Sequence, residues 1–302
     1  MAPNNSLVIE DLLQQNIRLN IVQVLIMIFL CINFLLILTF FKKECFHTTA
    51  RYILFAITLL SDSCILSLTD ILLILVHFNI SIPVWLCIII SLPVLLCITV
   101  TPVTLTAMVL ERYVAICMPL RHGELCSSRS MMHCILIIHS ISSVPCIIIF
   151  STFFASASIN FYKQYHMCSV KIFDISQSHL RTAIYQIQFL IMCIIIVLSY
   201  VKILKVAKAA SGEDRRLTRK GLKTVVLHSF QLLLCLIQLW YPFIEAAILN
   251  FRVYENVRYV NYIMFYLAPK CLSPLIYGLK DECFFRALKT YNLFVLYKRN
   301  TK

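Results

Sequence analysis

Charged residues are scarce in this chain. They make up 14% of its 302 residues, against about 25% in a typical soluble domain. Glycine is scarcer still, with four in all, at Gly123, Gly212, Gly221 and Gly278. None of these forms a phosphate-cradling loop, so the nucleotide-binding signatures are missing. No segment alternates apolar and polar residues as a transmembrane barrel strand would. The 14 cysteines include no paired C-x-x-C arrangement of the kind a structural zinc site needs. His47, His122 and His228 show no convergent metal spacing and read as interface residues. No metal or cofactor is expected, and an enzyme is disfavoured. Residues 1–20 lack a basic stretch followed by a cleavage site, so they read as a polar tail rather than a signal peptide.

Apolar sequence is what the chain has in excess: 60% of its residues are hydrophobic. Runs of ~20 such residues argue for membrane-spanning helices. The expected fold is all-α, a single domain over 1–302 with seven transmembrane spans. These fall at 21–41, 52–76, 85–117, 131–154, 182–207, 222–249 and 257–279. A short amphipathic helix over 281–292 follows, with Phe284, Phe285, Leu288 and Phe294 available to lie on the bilayer. No soluble domain interrupts the spans; Lys202 to Lys223 is a short basic loop.

The net charge of +13 raises the question of a nucleic-acid partner, and its distribution answers it. With the amino terminus outside, Arg18, Lys163, Lys171, Arg181, Arg252, Arg258 and Lys270 fall outside or within the membrane. The other 20 of the 27 Lys and Arg face the cytoplasm. That bias is an orientation signal. No nucleic acid is expected; the lipid bilayer is. The orientation gives the Asn4-Asn5-Ser6 acceptor at Asn4, and Asn79-Ile80-Ser81 at Asn79, an extracellular setting for glycosylation.

Polar groups inside apolar runs are costly and mark function by default. Asn33, Asp62, Asp70 and Lys270 are such groups. A further acid and base stand at the end of the third span, in Met108-Val-Leu-Glu-Arg-Tyr-Val-Ala-Ile-Cys-Met-Pro-Leu-Arg121. Cys87 lies 25 residues before Arg112, ~37 Å away along a helix, and so at the other side of the membrane. Pro93 and Pro102 between them each remove a backbone hydrogen bond.

Glu111-Arg112-Tyr113 with Val114-Ala-Ile-Cys-Met-Pro-Leu-Arg121 closely resembles the end of the third helix in odorant receptors, a branch of the rhodopsin-like G-protein-coupled receptors. Ser199-Tyr-Val-Lys-Ile-Leu204 resembles the end of their fifth helix. Lys220-Gly-Leu-Lys-Thr-Val-Val-Leu-His228 resembles the start of their sixth. Pro269-Lys-Cys-Leu-Ser-Pro-Leu-Ile-Tyr-Gly278 resembles the Asn-Pro-x-x-Tyr ending, with Ser273 in place of Asn, and looks most like odorant receptors of fish. The fourth span departs from most rhodopsin-like receptors in lacking a tryptophan.

The resemblance implies a small-molecule odorant as ligand and a heterotrimeric G protein, of the stimulatory olfactory type, as partner, with cyclic AMP as the output. It implies the plasma membrane, and cilia of olfactory neurons, as location. Glu111, Arg112, Tyr113, Tyr200, Pro274 and Tyr277 become the activation switch, in which Arg112 leaves Glu111 for Tyr200 and Tyr277. Arginine suits that role because it stays charged and offers five donors in a rigid fork. Cys87 and Cys168 become a disulfide. Asn33, Asp62, Thr101, Lys270 and Ser273 form an intramembrane polar network. Within it Asp62 and Thr101 resemble the pocket where many such receptors hold sodium, and Lys270 is expected to replace the ion. Leu95, Ile98, Thr99, Tyr185 and Gln188 become ligand-binding candidates.

Val94 stands where amine receptors carry an acid, and Leu267 where opsins carry their lysine, so amine and light sensing are disfavoured. Two other functions stay open. One is a receptor of the same fold for a lipid, peptide or metabolite; the other is a transporter or channel using Asp62, Asp70 and Lys270.

Overall fold

The computed structural model describes residues 5–42, 44–125, 127–210 and 254–270, with positions 233, 272, 274, 285 and 286. Among these residues, five helices are long and apolar enough to cross a membrane. They lie within α1 (Asn5–Lys42), α3 (Ala50–His77), α4 (Val84–Cys117), α6 (Ser128–Ser156) and α7 (Asp174–Ala210). Shorter helices are α2 (Glu44–His47), α5 (Pro119–Leu125) and α8 (Tyr254–Asn261), the last continuing into a π-helical segment, Tyr262–Leu267. The expected sixth span over 222–249 and the amphipathic helix over 281–292 lie outside the described residues, except for Leu233, Phe285 and Arg286.

α1 reaches ahead of the span expected over 21–41. The tail expected over 1–20 is helical from Asn5 onward, and the apolar stretch within α1 begins at Leu13. Hydropathy marks where lipid can begin, whereas a helix ends only at a breaker or cap, and residues 5–20 contain neither Gly nor Pro. By the same logic α7 begins at Asp174, ahead of the apolar run expected from 182.

Local chemistry sets several other boundaries. Met118 precedes Pro119, and a residue before proline is disfavoured in the α region. It sits at φ −135° and ψ 57° and closes α4, while Pro119 opens α5 at the position where a missing N–H costs least. Ser127 caps α6, its hydroxyl accepting from the Ser130 N–H at 3.4 Å. At the end of α3, Asn79 takes φ 51°. Its N–H bonds to the Val76 carbonyl, and the Ile80 N–H to the Leu75 carbonyl at 2.9 Å. This pair of bonds is the Schellman ending, in which Asn is the usual substitute for Gly.

The outward faces are apolar. Met27, Phe34, Leu136, Ile147, Ile187 and Leu190 are all exposed, as fits side chains that meet lipid. Hydroxyls along these helices donate back into their own ladders: Thr58 to Leu54, Ser63 to Leu59, Thr104 to Val100 and Thr106 to Pro102. That satisfies them where no water is at hand.

One buried cluster joins Leu36, Phe55, Leu105, Met108, Ile138 and Met192, drawing on five helices. A second joins Val94, Leu95, Cys146, Phe150, Cys168 and Phe173. A third sets Val22 and Ile26 of α1 against Leu66 and Leu267. Lipid is as apolar as these side chains, so close packing and interhelical polar contacts must hold the helices together. Two such contacts join α1 to α3: Gln23 donates to Asp70, and Asn16 pairs with His77 at 2.9 Å. They are spaced seven residues apart on each helix, as expected for two antiparallel helices meeting along one seam.

Candidate functional site

The deepest charges in the described residues face one another. Lys270 Nζ lies 3.1 Å from Asp62 Oδ1, with the side chains 2% and 1% exposed. Thr101 donates to the same carboxylate oxygen at 3.0 Å, and its hydroxyl is 3.4 Å from that of Ser61. The Lys270 ammonium also sits 5.7 Å from the centre of the Tyr266 ring, within the range of a cation–π contact. A residue of α3, one of α4 and one beyond α8 thus share a single centre. Buried charges persist only when paired and hydrogen-bonded, and this pair is both. Asn33 is 1% exposed on α1, yet among the described residues its Nδ2 has no acceptor and Asp62 Oδ2 no donor.

At the Cys87 end of α4 the chain is tied to the segment before α7. Cys87 and Cys168 are joined by a disulfide across a separation of 81 residues. Beside it a strand pair sets Ser81 against Met167 and Pro83 against Tyr165 in antiparallel register. Beneath this cover Leu95 is buried, and Ile98, Tyr185 and Tyr266 pack against the same apolar cluster. Three separate parts of the chain therefore converge on one apolar region.

Two of the polar ligand-binding candidates differ in how they are engaged. Thr99 turns toward α6: its hydroxyl lies 2.9 Å from the Ser142 carbonyl and 2.8 Å from that of Leu96. Its single proton is already committed. Gln188 on α7 has both amide atoms buried and, among the described residues, neither hydrogen-bonded, so there it keeps one donor type and one acceptor to offer.

The other end of α4 carries the adjacent acid and base. Arg112 Nε is 3.6 Å from Glu111 Oε2, with side chains 21% and 11% exposed. That is longer than a hydrogen bond, so the attraction is Coulombic. Lys202 of α7 lies 5.8 Å from the centre of the Tyr113 ring. Tyr200 packs, partly buried, against the cluster that contains Met108 and Val109. Pro274 is buried. Tyr277, Ser273 and Asn4 lie outside the described residues.

Sequence reasoning missed Tyr266, Ser61, Ser142 and the Asp70 partner Gln23. Tyr266 stands one helical turn before Lys270, a spacing at which side chains meet, and that signal was available. Ser142 was not accessible in the same way, because its carbonyl matters only once the rotation of α6 is known. Asp70 appeared as an unexplained acid, and its contact with Gln23 gives it a structural role.

A polar core among membrane helices, a disulfide-held cover at one end and an ion pair at the other describe a polytopic membrane receptor. Residues 32–277 match the family of 7 transmembrane receptors (rhodopsin family). The chain is 40% identical over 280 residues to Odorant receptor 131-2 of Danio rerio, a match covering 91% of this chain and 86% of that one. It is also 28% identical over 194 residues to Olfactory receptor 52A5 of Homo sapiens, covering 59% of this chain and 58% of that protein. The chain belongs to the odorant-receptor branch of the rhodopsin-family seven-transmembrane receptors. It is accordingly a multi-pass membrane receptor built as a seven-helix bundle, and not an enzyme.

Proposed function

We propose that this receptor binds an extracellular small-molecule odorant within the helix bundle and answers by activating a heterotrimeric G protein. The observation that carries the reading is the position of the Glu111–Arg112 pair. It stands at the end of α4 remote from the disulfide, the end that the charge bias of the sequence assigns to the cytoplasm. A ligand that prefers one arrangement of the helices stabilises it, and that differential affinity is all the coupling requires. In the resting state Glu111 holds Arg112; in the active state Arg112 turns to Tyr200 and Tyr277 as the sixth helix moves away. The odorant enters beneath the Cys87–Cys168 cover, against Leu95, Ile98 and Tyr185, where an apolar wall with a few polar groups suits a small organic molecule. Gln188 supplies the hydrogen bonds that orient it, and Thr99 sets the wall between α4 and α6.

The amino terminus is extracellular, the G protein is of the stimulatory olfactory type and cyclic AMP is the output, in the cilia of olfactory sensory neurons. A transporter or channel reading loses ground because Asp70 and Lys270 each have a structural partner.

The test is a panel of volatile and water-soluble odorants, amino acids and bile acids included, on surface-expressed receptor with cyclic-AMP readout. A ligand that raises cyclic AMP through the wild type but not through Arg112→Ala supports the reading. Ligand-evoked current that persists without a G protein would contradict it.

A further inference from the structure

Gln188 is a carboxamide set among hydrocarbon. Three residues before it on α7, Tyr185 packs against the apolar cluster that holds Leu95. Four residues after it, Met192 is buried in the cluster that holds Leu105 and Met108. Positions three and four apart share a helix face, so Gln188 stands on the inward face of α7, between the two clusters. Leu190, Ile194 and Val197, on the opposite side of the helix, are exposed. Hydroxyls in the bundle are satisfied by their own helices, as Ser199 is by the Ile195 carbonyl. Gln188 differs: among the described residues neither its Oε1 nor its Nε2 has a partner, and both are buried. An orphaned donor and an orphaned acceptor on one side chain are costly together, and a folded protein leaves few buried groups in that state.

We infer that the ligand is an uncharged carboxamide, a lactam or a primary amide on an apolar body, which Gln188 holds in a cyclic pair of hydrogen bonds. This rests on the reading above that a small molecule binds within the bundle and drives signalling. Gln188 offers an N–H and a carbonyl side by side. A ligand group satisfies both at once when its own acceptor and donor also lie side by side. Lactams and primary amides are built that way: the ligand carbonyl accepts from Nε2 while the ligand N–H donates to Oε1. A ketone, ester or ether accepts but cannot donate, and leaves Oε1 orphaned. A hydroxyl carries both functions on one atom and cannot meet both ends of the amide in line. A carboxylate brings acceptors alone and an ammonium donors alone. Ionised groups fail on a second count. Among the described residues, the most deeply buried charges, Asp62 and Lys270, already neutralise each other, and a lone buried ion is heavily penalised. Free amino acids, ionised at both ends, fail on both.

The experiment titrates purified full-length receptor in lipid nanodiscs with ε-caprolactam, N-methylcaprolactam and cycloheptanone, which share a ring and differ in donor and acceptor. Straight-chain primary amides and their matching methyl ketones form a second series. Binding is read as thermal stabilisation, which measures occupancy without a G protein. The lactam should bind about tenfold more tightly than either ring analogue, the difference of one hydrogen bond. Each primary amide should show the same advantage over its ketone. Gln188→Leu and Gln188→Met remove the pairing groups, and in both variants the amides should bind no better than the ketones. Equal binding of amides and ketones by the wild type would overturn the proposal, as would no binding of any amide. So would an amide preference that persists in both Gln188 variants. Cyclic AMP in cells separates this from the reading beneath it. If amides bind with the stated preference but raise no cyclic AMP, the signalling part of that reading fails and the assignment of Gln188 stands. If other odorants raise cyclic AMP while amides show no preference, the proposal alone fails.

Discussion

Removing the Lys270 ammonium is the sharpest perturbation of the bundle's interior. The pair it makes with Asp62 is 3.1 Å long and almost wholly buried, so solvent screens it little. Breaking a buried pair by deleting one partner costs about 3–5 kcal/mol, because the other charge stays behind uncompensated. Lys270→Met and Asp62→Asn should each lose that much. The double variant replaces both charges by neutral groups of similar size, and such replacements are often near neutral. It should therefore fall within ~1–2 kcal/mol of the wild type, giving a coupling of ~3 kcal/mol or more by the double-mutant cycle. The assay is thermal unfolding of purified receptor in one detergent, with surface expression of the same variants as a cellular control. If either single variant is as stable as the wild type, or if the double loses the sum of the singles, the ion pair is not holding these helices together.

Other expectations follow from the same geometry. Thr101→Val keeps the ion pair but deprives the carboxylate of a donor, and should cost roughly 1.5–3 kcal/mol in the same unfolding assay. Cys87→Ser or Cys168→Ser opens a link across 81 residues, worth about 4.5 kcal/mol by the chain-entropy estimate; flow cytometry of intact cells should find little receptor at the surface. Gln188→Leu should weaken responses to odorants carrying a hydrogen-bonding group by about tenfold, one hydrogen bond's worth, while leaving purely apolar agonists unaffected, as read from dose–response curves. Since an ammonium already fills the site beside Asp62, agonist potency should be the same when sodium is replaced by a bulky organic cation. A marked sodium dependence would contradict that.

What could be read from the residues divides along physical lines. Membrane spans are long-range averages of hydropathy, so the long apolar helices stand out in the chain. Their ends are local events. α1 is already helical at Asn5 and α7 at Asp174, ahead of the apolar runs, because no Gly or Pro stands between, and hydropathy carries no information on that. Opposite charges inside apolar runs, Asp62 and Lys270, have few tolerable neighbours, which makes their meeting foreseeable. Thr99 had many, and only the rotation of α4 against α6 determines that its hydroxyl reaches the Ser142 carbonyl as well as that of Leu96. Asn79 carried a glycosylation pattern in the sequence, while the structure adds a second reason for an asparagine there, the left-handed ending of α3.

The central claim, that Arg112 delivers the signal of a ligand bound near the other end of α4, is tested most directly by one paired measurement. Wild type and Arg112→Ala, reconstituted with G protein, are compared for agonist binding and for agonist-stimulated nucleotide exchange. The account predicts that Arg112→Ala binds the agonist yet stimulates no exchange. Exchange at the wild-type level from the variant would contradict it.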